Sequence, residues 1–180
     1  MSQSISVIVA VDAQGGFSKN GKIPWHFTED FQHFRALTLG HTCVMGRTTY
    51  EDINDRLGDN AHPDVLPNRR NIVLTKTIPF LSNAETCESF DDLQHIINDT
   101  TDDVFFIGGE SIFKYGLSIA DTVYLTHIPG NYGCELIFPM STLMVEFTML
   151  TKHITQTGLT FIKMIRNKTV DGSINTEYNQ

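Results

Sequence analysis

The sequence predicts an α/β fold: a three-layer sandwich around a central mixed, mainly parallel sheet, with an antiparallel C-terminal hairpin. Three observations carry this. Short β-branched apolar runs, at residues 5–11 and 71–75 for example, alternate along the chain with segments of helical spacing, the pattern of strands buried on both faces and joined through helices. Two such runs, 42–45 and 104–107, end in glycine and pass straight into a helix. Two long alternating segments, around 146–154 and 159–166, then read as an antiparallel pair at the end of the sheet. With 180 residues, 41% hydrophobic and 19% charged, the chain is long enough for one domain with a sizeable core and too apolar for disorder. Residues 1–168 are assigned to that domain and 169–180 to a polar tail.

Taken in order, residues 5–11 form the first strand. Residues 12–23 carry Gly15, Gly16, Asn20 and Gly21 and read as a mobile loop that Pro24 ends. From Phe27 to Thr38 apolar residues recur at helical spacing, until Gly40 stops the helix. Residues 42–45 are a second buried strand, followed by Gly46 and a short helix from about Thr48. Residues 57–68, with prolines, glycine and polar side chains, read as a surface excursion before the strand at 71–75. Ser89 with Asp92 three residues on resembles a capping box, with Asp in place of Glu, for a helix carrying Phe90, Leu93, Ile96 and Ile97. Residues 104–107 lead through Gly108-Gly109 into another helix, and 122–128 form a strand ahead of the terminal pair.

The net charge of −8 is unevenly placed. Residues 81–121 hold nine acidic residues and one basic residue, Lys114, whereas eight of the thirteen lysines and arginines lie between Lys19 and Lys76. An acidic chain is a poor candidate for general nucleic-acid binding, but a local concentration of cations suits a small anionic ligand. No apolar run approaches the ~20 residues of a membrane span, and the start of the chain has no secretory pattern. Cys43, Cys87 and Cys134 are odd in number and form no CxxC, which fits a reduced compartment. The seven histidines show no HxxxH or HExxH, and no Cys/His cluster has zinc spacing, so no metal site is expected.

Asp30 is the most informative residue. At about 100° per residue, Phe27, Phe31, Phe34, Leu37 and Thr38 fall on one stripe of their helix and Asp30 falls inside it, while Glu29 lies on the solvated side. A carboxylate on a buried stripe is costly unless satisfied. Either it caps backbone or pairs with a buried arginine, or it waits at the floor of a pocket for a ligand with hydrogen-bond donors. The second feature is the pair of strand–glycine–helix junctions, Met45-Gly46-Arg47-Thr48-Thr49 and Ile107-Gly108-Gly109-Glu110-Ser111. Glycine admits close approach of a ligand, and a helix N-terminus favours phosphate; two junctions on one sheet suit a dinucleotide lying along the strand ends. Trp25, after Ile23-Pro24, is either core or an anchor for the glycine-rich loop.

In order, these segments resemble dihydrofolate reductase of the chromosomal bacterial type. The resemblance rests on Asn20-Gly21-Lys22-Ile23-Pro24-Trp25-His26, Glu29-Asp30-Phe31 through Phe34, Val44-Met45-Gly46-Arg47-Thr48-Thr49-Tyr50-Glu51, Arg69 to Thr75, Ile107-Gly108-Gly109, Tyr124 to Ile128 and Phe138-Pro139, and it covers roughly residues 4–166. It implies reduction of 7,8-dihydrofolate to tetrahydrofolate with NADPH as cofactor. Asp30, Trp25 and Thr126 would be the catalytic set, Asp30 binding the 2-amino group and N3 of the pterin. Ile8, Phe31, Phe34, Ile53, Leu66 and Ile107 would wall the substrate pocket, and Arg69 would hold the substrate's α-carboxylate. Ala10 and Ile23 would contact the nicotinamide, and Gly16, Lys22, Gly46, Ile107 and Gly108 would also bind the cofactor. Arg47, Thr48, Thr75 and Lys76 would surround the adenosine 2′-phosphate, and Thr49 with Gly109, Glu110, Ser111 and Ile112 the pyrophosphate. Asp30 is expected to be the pocket's only acid, and the Gly108-Gly109 peptide to be cis, as in the family.

Two departures stand out. Residues 57–68 exceed the short turn that many bacterial members use there, and Glu135 stands where an Asp often helps to close the glycine-rich loop, a task that falls to Cys134-Glu135. Other implied partners are antifolate inhibitors; a monomer in the cytoplasm is expected, with no nucleic acid and no membrane. A pyrimidine reductase of the same fold would need a floor residue other than Asp30, and a ligand-binding protein without activity would not need Asp30, Trp25 and Thr126 together.

Overall fold

The computed structural model describes residues 2–58 and 63–169. In chain order the first elements are β1 (Ile5–Val11), β2 (Gly16–Ser18), α1 (Thr28–Thr38), β3 (Thr42–Gly46) and α2 (Arg47–Leu57). There follow β4 (Arg70–Leu74), β5 (Glu85–Cys87), α3 (Phe90–Asn98), β6 (Val104–Gly108) and α4 (Glu110–Ile119). The chain continues with β7 (Thr122–His127), β8 (Leu136–Ile137), α5 (Met140–Glu146), β9 (Phe147–Ile154) and β10 (Thr160–Arg166).

The continuous apolar strands are explained by two cores. Val7, Val9, Val44, Ile72 and Phe106 enter one cluster, and their neighbours Ile8, Cys43, Met45, Val73 and Phe105 enter another, so the strands are covered on both faces. Leu93 and Ile97 of α3, Ile112 and Leu117 of α4 and Leu143 of α5 close the first side. Phe34 and Leu37 of α1 and Tyr50 and Ile53 of α2 close the second. The result is the expected three-layer sandwich.

The main sheet runs β5-β4-β3-β6-β1-β7-β10-β9. Neighbours from β5 to β7 are parallel, and β10 is antiparallel to both β7 and β9. Because β3, β6 and β1 are consecutive and parallel, their C-terminal ends open on one edge, with Met45 opposite Gly108. That edge is where an open α/β sheet places its ligand.

Several local readings change. β2 and β8 pair with each other in a separate small sheet, so the loop at 12–23 is partly strand. Its Phe17 is buried edge-on against Phe113, with ring centroids 5.0 Å apart. Two- and three-residue strands have too few positions for an alternating pattern to register, which is why β2, β5 and β8 escape sequence reading. Residues 57–68 are not wholly a surface excursion: Val65 and Leu66 turn inward and join the second core. The Val65 N–H donates to the Asn83 carbonyl, and the Asn71 side chain donates to the carbonyl of Leu66. Ser89 does cap α3 by accepting from the Asp92 N–H. The shorter Asp92 side chain accepts from the Ser89 hydroxyl at 2.7 Å. Of the expected polar tail, 170–180 lies outside the described residues.

Candidate active site

A cleft of about 730 Å³ opens at the shared strand edge, between α1 and α2. β1 brings Ile8 and Ala10 to it, and α1 brings Asp30, Phe31, Phe34 and Arg35. Asp30 accepts a hydrogen bond from the hydroxyl of Thr126 on β7, itself buried. Burial pushes the Asp30 carboxyl above its ordinary value, and the Thr126 bond opposes that rise. No arginine pairs with Asp30 among the described residues, which removes one of the two structural explanations for its place on the apolar stripe.

Asp30 is not the cleft's only acid, as the sequence suggested. Asp52 and Glu110 line it too. Both are neutralised: Asp52 by Arg56 at 3.1 Å and Glu110 by Lys114 at 3.0 Å. Asp30 is thus the one cleft carboxylate without a cation beside it among the described residues. Glu29, expected to be merely solvated, accepts from the Thr157 hydroxyl and so ties α1 to the β9–β10 turn.

The two glycine junctions meet. A Cβ on Gly46 would lie 3.5 Å from the Gly109 nitrogen, an ordinary van der Waals distance, so the two junctions stand side by side with room for about a methyl group between them. The Gly108-Gly109 peptide is cis, as expected. At Gly108 the φ is +134° and a Cβ would stand 2.9 Å from Thr49 Oγ1, so no other residue fits. The N-termini of α2 and α4 open here together, with Thr48, Thr49, Gly109 and Ser111 on the cleft wall. Main-chain N–H groups at two helix starts and three hydroxyls make a set of donors suited to a pyrophosphate.

Two arginines are held in place by neighbours. Arg69 donates through Nε to the Pro67 carbonyl at 3.0 Å and through Nη1 to Thr38 Oγ1 at 3.1 Å. A guanidinium carries five donors, so others remain for a ligand carboxylate. Arg47 donates through Nε to Glu51 at 2.7 Å and through Nη1 to Thr77 Oγ1 at 3.0 Å.

Ser18, Gly21, Lys22 and Ile23 cover the cleft from the glycine-rich loop. Glu135 holds that loop twice, its carboxylate accepting from the Asn20 N–H at 2.8 Å and its N–H donating to the Ser18 carbonyl at 3.1 Å. Asp12 is its other anchor. Its buried carboxylate accepts from the N–H groups of Gln14, Gly16 and Tyr132 and from the Cys134 thiol. Burial works against the charge on Asp12, yet these bonds bring its carboxyl below the ordinary value.

Five expected site residues do not line the cleft. Gly16 is buried, and a Cβ there would meet the Cys134 Cβ at 2.5 Å, so its glycine serves packing. Ile112 points into the core. Thr75 is buried with its hydroxyl accepting from the N–H groups of Thr77 and Ile78, and Lys76 is exposed to solvent. Trp25 packs against Tyr132 and lines an adjoining groove; its indole N–H has no hydrogen-bond partner among the described residues. Asp12, Arg35, Asp52 and Arg56 escaped the sequence reading. The only signal for the last two was an acid four residues before an arginine, which announces a helix pair rather than a pocket wall.

Comparison with known proteins is consistent along most of the chain. Residues 4–159 match the family model described as dihydrofolate reductase. A dihydrofolate reductase of Staphylococcus aureus (strain Mu50 / ATCC 700699) is 33% identical over 137 residues, 76% of this chain and 78% of that protein. A bifunctional dihydrofolate reductase-thymidylate synthase of Paramecium tetraurelia is 29% identical over 155 residues, covering 83% of this chain and 32% of that one. Among solved structures, dihydrofolate reductase from Enterococcus faecalis, complexed with NADP(H) and RAB-propyl, superposes with a TM-score of 0.77 at 25% identity, covering 92% of this chain and 97% of that one.

Proposed function

This chain belongs to the dihydrofolate reductase family, and on that premise we propose how its residues carry out the NADPH-dependent reduction of 7,8-dihydrofolate to tetrahydrofolate. The observation that carries the assignment is Asp30: a half-buried acid, hydrogen-bonded to Thr126, without a cation, facing a cleft that ends at two glycine junctions. An isolated carboxylate of this kind is compensated by a ligand that brings donors. The 2-amino group and N3 of a pterin supply two of them.

Ile8, Phe31, Phe34, Ile53, Leu66 and Ile107 all line the cleft and form the apolar walls for the pterin and its aminobenzoyl group. Arg69, aimed by Pro67 and Thr38, takes the α-carboxylate. The residues present fit NADPH: the paired glycine backbones and two helix N-termini suit its pyrophosphate, and Arg47 with Thr48 its 2′-phosphate. Thr75 contributes at one remove, since its hydroxyl meets Thr77, which in turn positions Arg47. When bound, the nicotinamide supplies the hydride that reaches C6 of the substrate. Ala10 and Ile23 border its position, and the loop at 18–23 excludes water from it.

Asp30 engages N3 and is therefore not itself the donor to N5. Its charge raises the proton affinity of the bound pterin, and water delivers the proton. Trp25 acts from outside the cleft, stiffening the end of the loop against Tyr132. No helix among the described residues is long and apolar enough to cross a membrane. The cleft is complete within one chain, which supports a monomer, and the net charge of −8 disfavours nucleic acid; the three free cysteines support a cytoplasmic location. Loss of NADPH absorbance on adding dihydrofolate tests the assignment, and purified protein that leaves NADPH unconsumed would overturn it.

A further inference from the structure

Asp52 and Arg56 have no place in the roles assigned above, yet they form one wall of the cleft. Asp52 lies on α2 at 8% exposure, one turn before Arg56. Arg56 meets both of its oxygens, Nε to Oδ1 and Nη2 to Oδ2, each at 3.1 Å. This two-point contact fixes the plane of the guanidinium as a single contact would not. Nη2 also donates to the Ile23 carbonyl at 3.4 Å, and the guanidinium carbon lies 5.7 Å from the centre of the Phe31 ring. One side chain therefore joins α2, the end of the glycine-rich loop and α1.

Its position is a boundary. Arg56, Phe31 and Ile23 line both the main cleft and the open groove beside Pro24, Trp25 and His26. Phe31 and Ile53 face the cleft from the two helices that Arg56 connects. Burying a charged aspartate for stability alone is poor economy, because an apolar residue of similar volume often serves as well or better. What the pair provides is a cation of fixed orientation on the lining of a cleft that Arg35 and Arg69 also line. The pterin-binding acid, Asp30, forms no ion pair with it among the described residues.

We propose that Arg56, oriented by Asp52, is a specificity-determining residue for the substrate's aminobenzoyl-glutamate half. It sets the width of the slot between Phe31 and Ile53 and places positive charge beside the anionic tail, favouring pterins with such a tail over pterins without one. Asp52 is the positioning residue of the pair. This rests on the reductase assignment above.

The test compares 7,8-dihydrofolate with a tail-less dihydropterin, 6-methyl-7,8-dihydropterin, each reduced with saturating NADPH by wild type, Arg56→Ala, Arg56→Lys, Asp52→Asn and Asp55→Asn. Arg56→Ala is expected to raise KM for dihydrofolate about tenfold, with kcat, KM for the tail-less substrate and KM for NADPH within about twofold of wild type. Arg56→Lys keeps charge without the plane and recovers part of the loss. Asp52→Asn frees the guanidinium and raises KM for dihydrofolate by about threefold, and Asp55→Asn, outside the cleft on the same helix, controls for charge alone. Equal shifts for tailed and tail-less substrates would make the pair merely structural and overturn the proposal. A wild type active on both substrates with Arg56→Ala unchanged on both overturns it too, leaving the reductase assignment intact. A wild type that reduces neither overturns that assignment and the proposal with it.

Discussion

Replacing Asp30 by asparagine separates a ligand-binding carboxylate from a structural one. The amide keeps the size of the side chain and can still accept from Thr126, but it has no charge. One contact to the pterin then becomes a neutral hydrogen bond, and the other is lost because the amide NH2 faces a pterin donor. A hydrogen bond to a charged group contributes about 1.5–3 kcal/mol and a neutral one about 0.5–1.5, so the two changes together cost about 2.5–4.5 kcal/mol. That is a fall of ~70- to 2,000-fold in kcat/KM, before the lost bias toward a protonated pterin is counted. Steady-state NADPH consumption at neutral pH reads the loss directly, and the deficit should narrow as pH falls and solvent protonates more of the substrate. Stability should move the opposite way. Burial raises the Asp30 carboxyl above its unfolded value, so the folded state holds that proton more tightly. Its contribution is fully present below the unfolded pKa and is lost as pH rises through the folded one. Ligand-free Asp30→Asn should therefore melt higher than wild type at neutral pH, with the gain vanishing in acid. Activity within about threefold of wild type, or a lower melting temperature at neutral pH, would refute the assignment.

Arg47→Ala should weaken NADPH by about 1.5–3 kcal/mol, near the lower figure at physiological salt because the side chain is half exposed, and leave NADH unchanged; equal losses in a fluorescence titration would make Arg47 structural. Glu135→Gln should cost the closed loop about 1 kcal/mol, since the bond to the Asn20 N–H is exposed. Relaxation dispersion should then show stronger microsecond-to-millisecond exchange at residues 18–22 but not at the buried Phe17, and an unchanged profile would remove Glu135 as the latch. Asp12→Asn should destabilise the protein by about 1–3 kcal/mol in urea, because an amide cannot accept all the N–H groups now on the carboxylate. The Asp12 carboxyl sits below its unfolded value, so the advantage of wild type is present above that value and fades as pH falls through the folded pKa; a difference constant down to strong acid would contradict this account.

The parts of the fold that depend on long periodic segments were legible from residues alone. β1, β4 and β6 announce themselves because a strand covered on both faces has few polar positions to dilute the pattern. The glycine junctions were legible because a position such as Gly108, with φ +134° and Thr49 Oγ1 2.9 Å from where a Cβ would stand, tolerates few other residues. Asp30 stood out because a charge on an apolar stripe breaks the local rule. What stayed hidden is what depends on partners distant in sequence. Asp12 reads as an ordinary turn residue until the chain returns at Tyr132 and Cys134. Gly16 reads as a flexible loop glycine, whereas Cys134 packed against it is the reason for the missing side chain. Arg56 and Asp52 read as a solvated helix pair, because helical spacing cannot reveal that the far side of α2 faces Phe31 and Ile23.

Charge is where the cleft departs most from the molecule around it. The chain carries −8 overall, yet Lys22, Arg35, Arg47, Arg56 and Arg69 line the cleft against three acids. Asp52 is paired with Arg56, Glu110 with Lys114 and Arg47 with Glu51, which leaves Lys22, Arg35 and Arg69 against Asp30, so the cleft presents a positive field to an anionic cofactor and to an anionic folate tail. The remaining acid, Asp30, lies against the sheet beside Thr126, on the inner side of the site. A ligand entering with its carboxylates first would bring like charge toward Asp30 and leave the arginines without partners. One entering pterin first meets a carboxylate with donors and leaves its anionic end among guanidinium groups. The same sorting of charges that binds the substrate therefore also fixes which end goes in, and it does so before any contact is made.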